Sequence, residues 1–359
     1  KVYRNCSGGQ MNMIPATGPG VKRGVITIPP PKEVCTMTYI DVGNHAIASI
    51  KNSGIERTLV MMVMPNCVDF GKYVSWGEIN GQYSWYKSEH ASFPLFQVRQ
   101  IGHNLGMRQS NGENGLANAD GTCYMGSLVP WNDEGAKMCF NAAKMWYFRW
   151  FSKFHATNRP EQRGLSRNLI GIAEAKNRGH LVSNEKIVIR VQTLHSTPTS
   201  LFVMYNYKKG PNSGVVEDGN KIIVTEQGGI SWASTRKAAL GTGQEYRQTD
   251  WAGNGSTLVI KNCGLQEGSW GITKQLAAAH VIIYVEGKTY KSCTSNESDE
   301  TDDGQNDGEC VDFPGFHDFY GEDYSCAWYG LADYLCKNFG AGPPNQDGIT
   351  ANQACCACG

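Results

Sequence analysis

The chain has 359 residues, with 33 basic and 33 acidic side chains for a formal net charge of zero and a hydrophobic share of 40%. That length accommodates two domains, or one large domain with an appendage. Balanced charge excludes a nucleic-acid or acidic-membrane partner gripped by bulk electrostatics, and no window approaches the roughly 18 consecutive apolar residues of a membrane span.

Residue 1 is Lys rather than Met, as after removal of a signal peptide or pro-segment, although a chain cut there for another reason reads the same. The first ninety residues read as strands and turns. Gly24 to Ile28 is β-rich and stops at Pro29-Pro30-Pro31, and Thr58 to Met64 is a nearly continuous apolar run of the kind covered on both faces. Tyr73 to Tyr86 spaces Trp76, Tyr83, Trp85 and Tyr86 around Gly77 and Asn80-Gly81, as a hairpin or a wandering surface loop. The helix that follows carries Val98, Ile101, Gly102 and Leu105 on one face. A Gly- and Asn-rich loop comes next. A second helix is predicted from Glu134 to about Phe151, with Met138, Ala142, Met145 and Phe148 as its core-facing stripe. From Lys186 the pattern turns to β, at 187–191, 201–205, 221–225, 257–261 and 281–285. Short strands broken by Gly, Asn and Pro predict an antiparallel sandwich. Cys263 and Cys293 bracket the last strand and are placed to tie that region together.

The stretch with chemical meaning is Arg99-Gln100-Ile101-Gly102-His103-Asn104-Leu105-Gly106-Met107-Arg108-Gln109. It has the spacing of the long zinc-protease signature H-E-x-x-H-x-x-G-x-x-H. In such a site two His one helical turn apart bind zinc and the Glu polarises the bound water. A third His arrives after a turn that needs Gly. Here Arg99 replaces the first ligand, Gln100 the general base and Gln109 the third ligand, which leaves His103. Arg is always protonated and repels a dication. An amide cannot take a proton from water. No catalytic residue and no zinc are expected, and none of His45, His90 and His155 stands at i−4 or i+6 from His103. If the fold is kept, Arg99 should fill the space of the metal and pair with a carboxylate or backbone carbonyls, because a buried unpaired charge is costly.

Several blocks in fixed order add to this motif: Cys6-Ser7-Gly8-Gly9-Gln10, Gly102-His103-Asn104-Leu105-Gly106, Asp120 to Gly126, and Met138 to Lys144. Tyr205-Asn206-Tyr207 and Asn212-Ser213-Gly214 continue the series. Together, over roughly residues 4 to 293, they resemble the gametolysin-type metallopeptidases, secreted matrix-degrading enzymes. The resemblance implies that Met125 is the Met-turn residue beneath the metal position and that Cys123 and Cys139 pair. It also implies a metzincin-like α/β domain over 1–180, followed by a β-rich, sandwich-like part over 181–294.

Six of the 13 cysteines crowd into the last fifty residues, as Cys310, Cys326, Cys336, Cys355, Cys356 and Cys358. They read as a disulfide scaffold, which requires an oxidising compartment. A zinc ribbon competes, with His317 the tail's one His. The tail, 310–359, is similar to small Cys-rich modules at the ends of secreted diatom and related algal proteins. That small a core needs disulfides, three in this reading. Its aromatics Phe316, Tyr320, Trp328 and Tyr329 either stack on sugars or form the module's own core. The other seven cysteines (6, 35, 67, 123, 139, 263 and 293) are odd in number, so one is free, pairs with the tail or cross-links another chain. Residues 295–309 read as an acidic linker, whose Asp299, Asp302, Asp303, Asn306 and Asp307 leave calcium binding open. Sequons at Asn5, Asn254 and Asn296 are candidate glycosylation sites and, with the cysteines, point to an extracellular glycoprotein.

Three functions follow in order. The first is a catalytically dead protease-like protein serving as a structural or adhesive part of an extracellular matrix, cell wall or surface appendage, with matrix or self-assembly partners. The second is a protein that holds a peptide or glycan in the former substrate cleft, between the motif helix and Trp76 to Tyr86. The third is an active metallopeptidase with an unorthodox site.

Overall fold

The computed structural model describes residues 1–51, 53–55, 57–126, 137–175, 185–194, 199–267, 277–289 and 291–293, and in the tail 317–318, 321–329, 336, 342, 350–355 and 358. Two compact units emerge, Lys1–Ser298 and Asp299–Gly359. Asn296, Cys310, Cys356, Phe316, Tyr320 and the whole 295–309 linker, with its calcium option, lie outside the described residues. Among the described residues no helix is long and apolar enough to cross a membrane.

The large unit begins with helix α1, Val2–Cys6, whose buried Tyr3 donates its hydroxyl to the Val98 carbonyl at 2.7 Å. Gly24 to Ile28 forms no strand. It has one isolated bridge, Lys22 to Val25, and Val25 is 64% exposed, so the segment lacks the burial that a strand's apolar face needs. Helix α2, Tyr39–Lys51, was not apparent among strands and turns. Gly43, Asn44 and His45 dilute its helical signal. Its Val42, Ala46 and Ile47 pack on Met62, Met64, Phe70 and Trp85. Strands β1 (Val60–Met64), β2 (Ser75–Gly77) and β3 (Tyr83–Lys87) form a sheet in the order β1-β3-β2. The apolar run of β1 is buried on one face only. Met62 and Met64 are covered, whereas Met61 and Val63 are exposed, since β1 lies at the sheet edge. The hairpin expected in Tyr73 to Tyr86 is present, as β2 pairs antiparallel with β3.

Helix α3, Pro94–Asn104, packs on β2 and β3. Of the second helix predicted from Glu134 to about Phe151, residues 134–136 lie outside the described residues, and the described remainder is helical only at α4, Ala142–Tyr147. Upstream of it the chain is held by other bonds: Cys139 N–H donates to the Asn212 carboxamide, and Gly214 N–H to the Lys137 carbonyl. The Asn141 side chain caps the helix by accepting from Lys144 N–H. Met138, Ala142 and Met145 are buried as the stripe requires.

Residues after α3 build two larger sheets. Their strands are β4 (Ser110–Asn111), β5 (His155–Asn158), β6 (Leu165–Ile170), β7 (Glu185–Lys186), β8 (Val188–Val191), β9 (Ser200–Tyr205), β10 (Ile222–Gln227), β11 (Ser234–Leu240), β12 (Glu245–Trp251), β13 (Ser256–Glu267) and β14 (Ala277–Val285). One sheet has the order β4-β11-β10-β9-β8-β5 and the other β12-β13-β14-β6-β7. All five predicted β segments are strands. The pairing is mixed, since β4 and β5 run parallel to their neighbours β11 and β8. Because β5 and β6 precede residue 180, the sandwich starts upstream of the expected boundary.

Alternation on β9 shows how the layers join. Leu201, Val203 and Tyr205 face Ile260, Val281 and Ile283 of the second sheet, while Phe202 and Met204 face the cluster holding α3, α4 and Tyr3. The central strands β8, β9 and β10 of the six-stranded sheet are thus largely buried on both sides, whereas β5 and β11 are mostly half-buried.

Five disulfides are formed among the described residues. Cys263–Cys293 is the expected tie, and Cys35–Cys67 staples the N-terminal layer. The expected Cys123–Cys139 bond is not made. Cys139 bonds Cys6, and Cys123 is a buried free thiol. The backbones of 123–126 and 137–141 do run together, with Tyr124 N–H on the Cys139 carbonyl. The Cys123 sulfur instead turns inward, to accept Asn141 N–H.

In the small unit β15 (His317–Asp318) pairs with β16 (Gly321–Ser325), followed by helices α5 (Cys326–Tyr329) and α6 (Ala351–Ala354). Cys326–Cys355 and Cys336–Cys358 close it, around buried Cys326, Tyr329, Ala351 and Cys355. Tyr329 is therefore core, and its hydroxyl donates to the Asp318 carboxylate at 2.7 Å. The side chain of Trp328 lies outside the described residues.

Candidate functional site

Helix α3 starts on Pro94, whose missing N–H costs nothing in a first turn. It ends before Gly106, which takes φ +96°. This turn folds the chain back so that Met107 N–H reaches the Gly102 carbonyl and the Met107 carbonyl meets His103 Nδ1 at 2.8 Å. Nδ1 must then carry the proton and leave Nε2 as an acceptor. Burial first, then the Arg99 charge, push the His103 pKa down to about 4, with Lys144 and Arg108 adding to the effect and the Met107 carbonyl opposing it. The imidazole is neutral at pH 7.

Arg99 pairs with backbone carbonyls, as the cost of a buried charge predicts. Nη1 donates to the Met125 and Gly126 carbonyls at 3.1 and 2.8 Å, and Nη2 donates to Asn118 Oδ1 at 2.5 Å. Met125 lies directly under the helix, where a Cβ on Gly102 would come within 2.6 Å of its sulfur, so only Gly permits this approach. Gln100 is buried and commits its amide to Ser75 Oγ at 2.8 Å. Asn104 donates to the Glu78 and Tyr83 carbonyls at 3.0 and 2.8 Å, and Asn80 N–H donates to the His103 carbonyl. A Cβ on Gly77 would lie 3.0 Å from Gln100 atoms. Helix and hairpin are thus in direct contact. Trp76 pairs with Trp85 across the hairpin, and so shares its sheet face, which packs on α2 rather than α3.

Gln109 is half-buried, and its carbonyl accepts Ser234 N–H. The three ligand positions therefore present a guanidinium, one imidazole and a carboxamide. That donor set does not fit zinc, because a fixed cation already bonds the carbonyls of the Met125 turn. The other histidines are elsewhere: His45 meets the Pro29 carbonyl, His90 meets Glu89, and His155 stacks on Trp146 and meets the Trp150 carbonyl. Among the described residues no three His, Cys, Asp or Glu side chains are grouped to hold a metal.

Behind Arg99 lies a buried polar cluster that sequence reading did not isolate. Asn141 Nδ2 donates to Ser234 Oγ at 2.9 Å, to Ser110 Oγ at 3.3 Å and to Asp120 Oδ2 at 3.4 Å. Lys144 Nζ reaches Ser234 Oγ at 2.8 Å, and Asp120 Oδ1 takes Thr122 N–H at 3.0 Å. Burial lowers the Lys144 pKa, opposed by Cys123 and Asp120, while burial raises that of Cys123, opposed chiefly by Lys144. A buried thiol with a raised pKa is a poor nucleophile. Asp120, Asn141 and Lys144 stood within recognised blocks. Ser234 carried no local signal, being 90 residues from its amine.

Of the glycosylation candidates, Asn254 is exposed in the β12–β13 turn, where its Oδ1 accepts Ser256 N–H at 3.1 Å. Asn5 is exposed on α1, but Ser7 of its sequon is buried. No known family, curated protein or solved structure matches the chain.

Proposed function

We propose that this chain is a catalytically inactive, metzincin-like relative of the gametolysin-type metallopeptidases, secreted as a glycoprotein and used as a structural or adhesive part of an extracellular matrix or wall. One observation carries the reading: the Arg99 guanidinium bonds the Met125 and Gly126 carbonyls in place of a first metal ligand. The commitment of Gln100 to Ser75 supports it, since no general base then faces His103. Five disulfides and the exposed Asn254 turn favour an oxidising, glycosylating route.

Metal analysis of the purified native chain by mass spectrometry, beside a gelatin digestion assay, tests this. The expected result is no stoichiometric zinc and no cleavage. Zinc that a chelator strips together with activity would establish an active enzyme with an unorthodox site. Peptide or glycan holding in the same region is the second reading, favoured by the neutral character of the Arg99 hydrogen-bond partners among the described residues.

A further inference from the structure

The sheet β1-β3-β2 has two unlike edges. Towards the β2 edge it is covered by helix α3, which packs on β2 and β3. At the other edge β1 pairs with β3 alone. Val60 N–H donates to the Gln82 carbonyl, so along this parallel ladder Val60, Met62 and Met64 turn their backbone groups to β3. Met61 and Val63 turn theirs outward, and no hydrogen bond reaches those groups among the described residues. By register their side chains share the face of Ser84 and Tyr86, yet the layer that buries Tyr86 stops short of β1. Met61 is 38% exposed and Val63 57%. Edge strands are ordinarily guarded by a charge, a Pro or a bulge. β1 has none of these, and residues 58–68 carry no charge.

The same chain carries a strand-like segment without a sheet. Gly24-Val25-Ile26-Thr27-Ile28 is β-forming in composition, but its one bridge, Lys22 to Val25, is internal to the turn that leads into it. Residues 22–27 are all exposed, as are Met13 and Ile14 before them. In its own chain the segment sits away from the open face. Its Pro29 carbonyl meets His45 of α2, and α2 covers the opposite face, that of Met62 and Met64. Segment and edge match in kind. Both are five residues long. Both are uncharged, so pairing them desolvates no ion. β1 is apolar on both faces, and the segment offers Val25 to one face and Ile26 and Ile28 to the other. Pro29-Pro30-Pro31 stops the added strand, because Pro has no N–H to extend a ladder.

We propose that residues 24–28 of a second copy of this chain add as a fourth strand to the open edge of β1. Mutual exchange closes a dimer, and one-way addition continues as a row of subunits. This deepens the structural reading by naming its assembly partner, and it rests on that reading in taking assembly as the role of the protein.

The test is sedimentation velocity of the full chain across a concentration series, with two variants. Ile26→Pro takes the donor segment out of strand geometry. Val63→Pro removes an N–H that faces the open edge and leaves the ladder to β3 intact. The unaltered chain is expected to associate as its concentration rises, and each variant to lose association and stay monomeric. An equimolar mixture of the two variants should regain a heterodimer, because one supplies a sound edge and the other a sound donor. Should Val63→Pro fail to fold, Val63→Lys guards the edge with a charge instead. A monomeric unaltered chain would overturn the assignment. So would self-association of the Ile26→Pro chain, which would leave β1 pairing with something other than this segment. Self-association of the folded edge variant, or a mixture that stays monomeric, would overturn it equally. Zinc content and gelatin digestion of the same preparations read the inactive-enzyme assignment separately, so each can fail without the other.

Discussion

The sandwich and the motif-helix layer are held together by different physics. Between the two large sheets the contacts are apolar: Val203, Val224, Ile260 and Val281 are all essentially inaccessible. Around α3, named side chains tie segments to one another through polar atoms, as Gln100 to Ser75, Asn104 to the hairpin carbonyls and Arg99 to the Met125–Gly126 turn. Apolar burial is spread over many residues, whereas a polar tie depends on both partners. The layer is cross-linked by such ties, with the Arg99 guanidinium bridging helix and turn.

The largest effect should come from the sandwich. Ile260→Ala opens a cavity among fully buried neighbours and is expected to cost about 2–5 kcal/mol, read from the denaturation midpoint. A cost below about 1 kcal/mol would mean the sheets are less tightly packed than this contrast requires.

Arg99→Ala probes the other region and should cost less, about 1–3 kcal/mol. The Met125 carbonyl keeps Ser110 N–H, so the loss falls chiefly on the Gly126 carbonyl and Asn118. A loss as large as that of Ile260→Ala would show that one polar tie can hold the layer as firmly as a core side chain.

The smallest effect is with pH. His103 and His155 have pKa values pushed down to about 4, each first by burial. An unfolded His titrates near 6.5, so below that pH the unfolded chain binds protons that the folded chain refuses. Stability should be full above about pH 6.5 and fall as the pH drops towards 4. Thermal melts of the unaltered chain and of His103→Gln across that range are expected to converge on acidification. Parallel curves would remove His103 as a contributor.

Much of the sandwich was legible because a two-residue alternation, or a wholly apolar run, reports burial directly on a strand. Segments 187–191, 201–205, 221–225, 257–261 and 281–285 all became strands. The charge argument at Arg99 was legible too, since the cost of an unpaired guanidinium does not depend on which carbonyls satisfy it. Helix α2 was not, because its apolar positions are interleaved with weak helix formers and it is stabilised by Trp85 and Phe70, more than twenty residues away in the chain. The length of α4 and the partner of Cys139 were decided by packing: α1 brings Cys6 alongside, and Asn212 holds the residues before Asn141 out of the helix.

By itself, the sequence determined the side chains at the spaced motif positions (a guanidinium, an imidazole and two carboxamides), the β-rich second half and the disulfide-rich chemistry, all of which are properties of residue type and short-range pattern. Only the tertiary structure decided where charge is balanced and where it is not. Arg236 finds three carboxylates, Lys144 finds Ser234, and Arg108 finds none among the described residues. Those pairings join positions separated by up to 123 residues, from Glu113 to Arg236, and are fixed by which strands and loops the fold brings together.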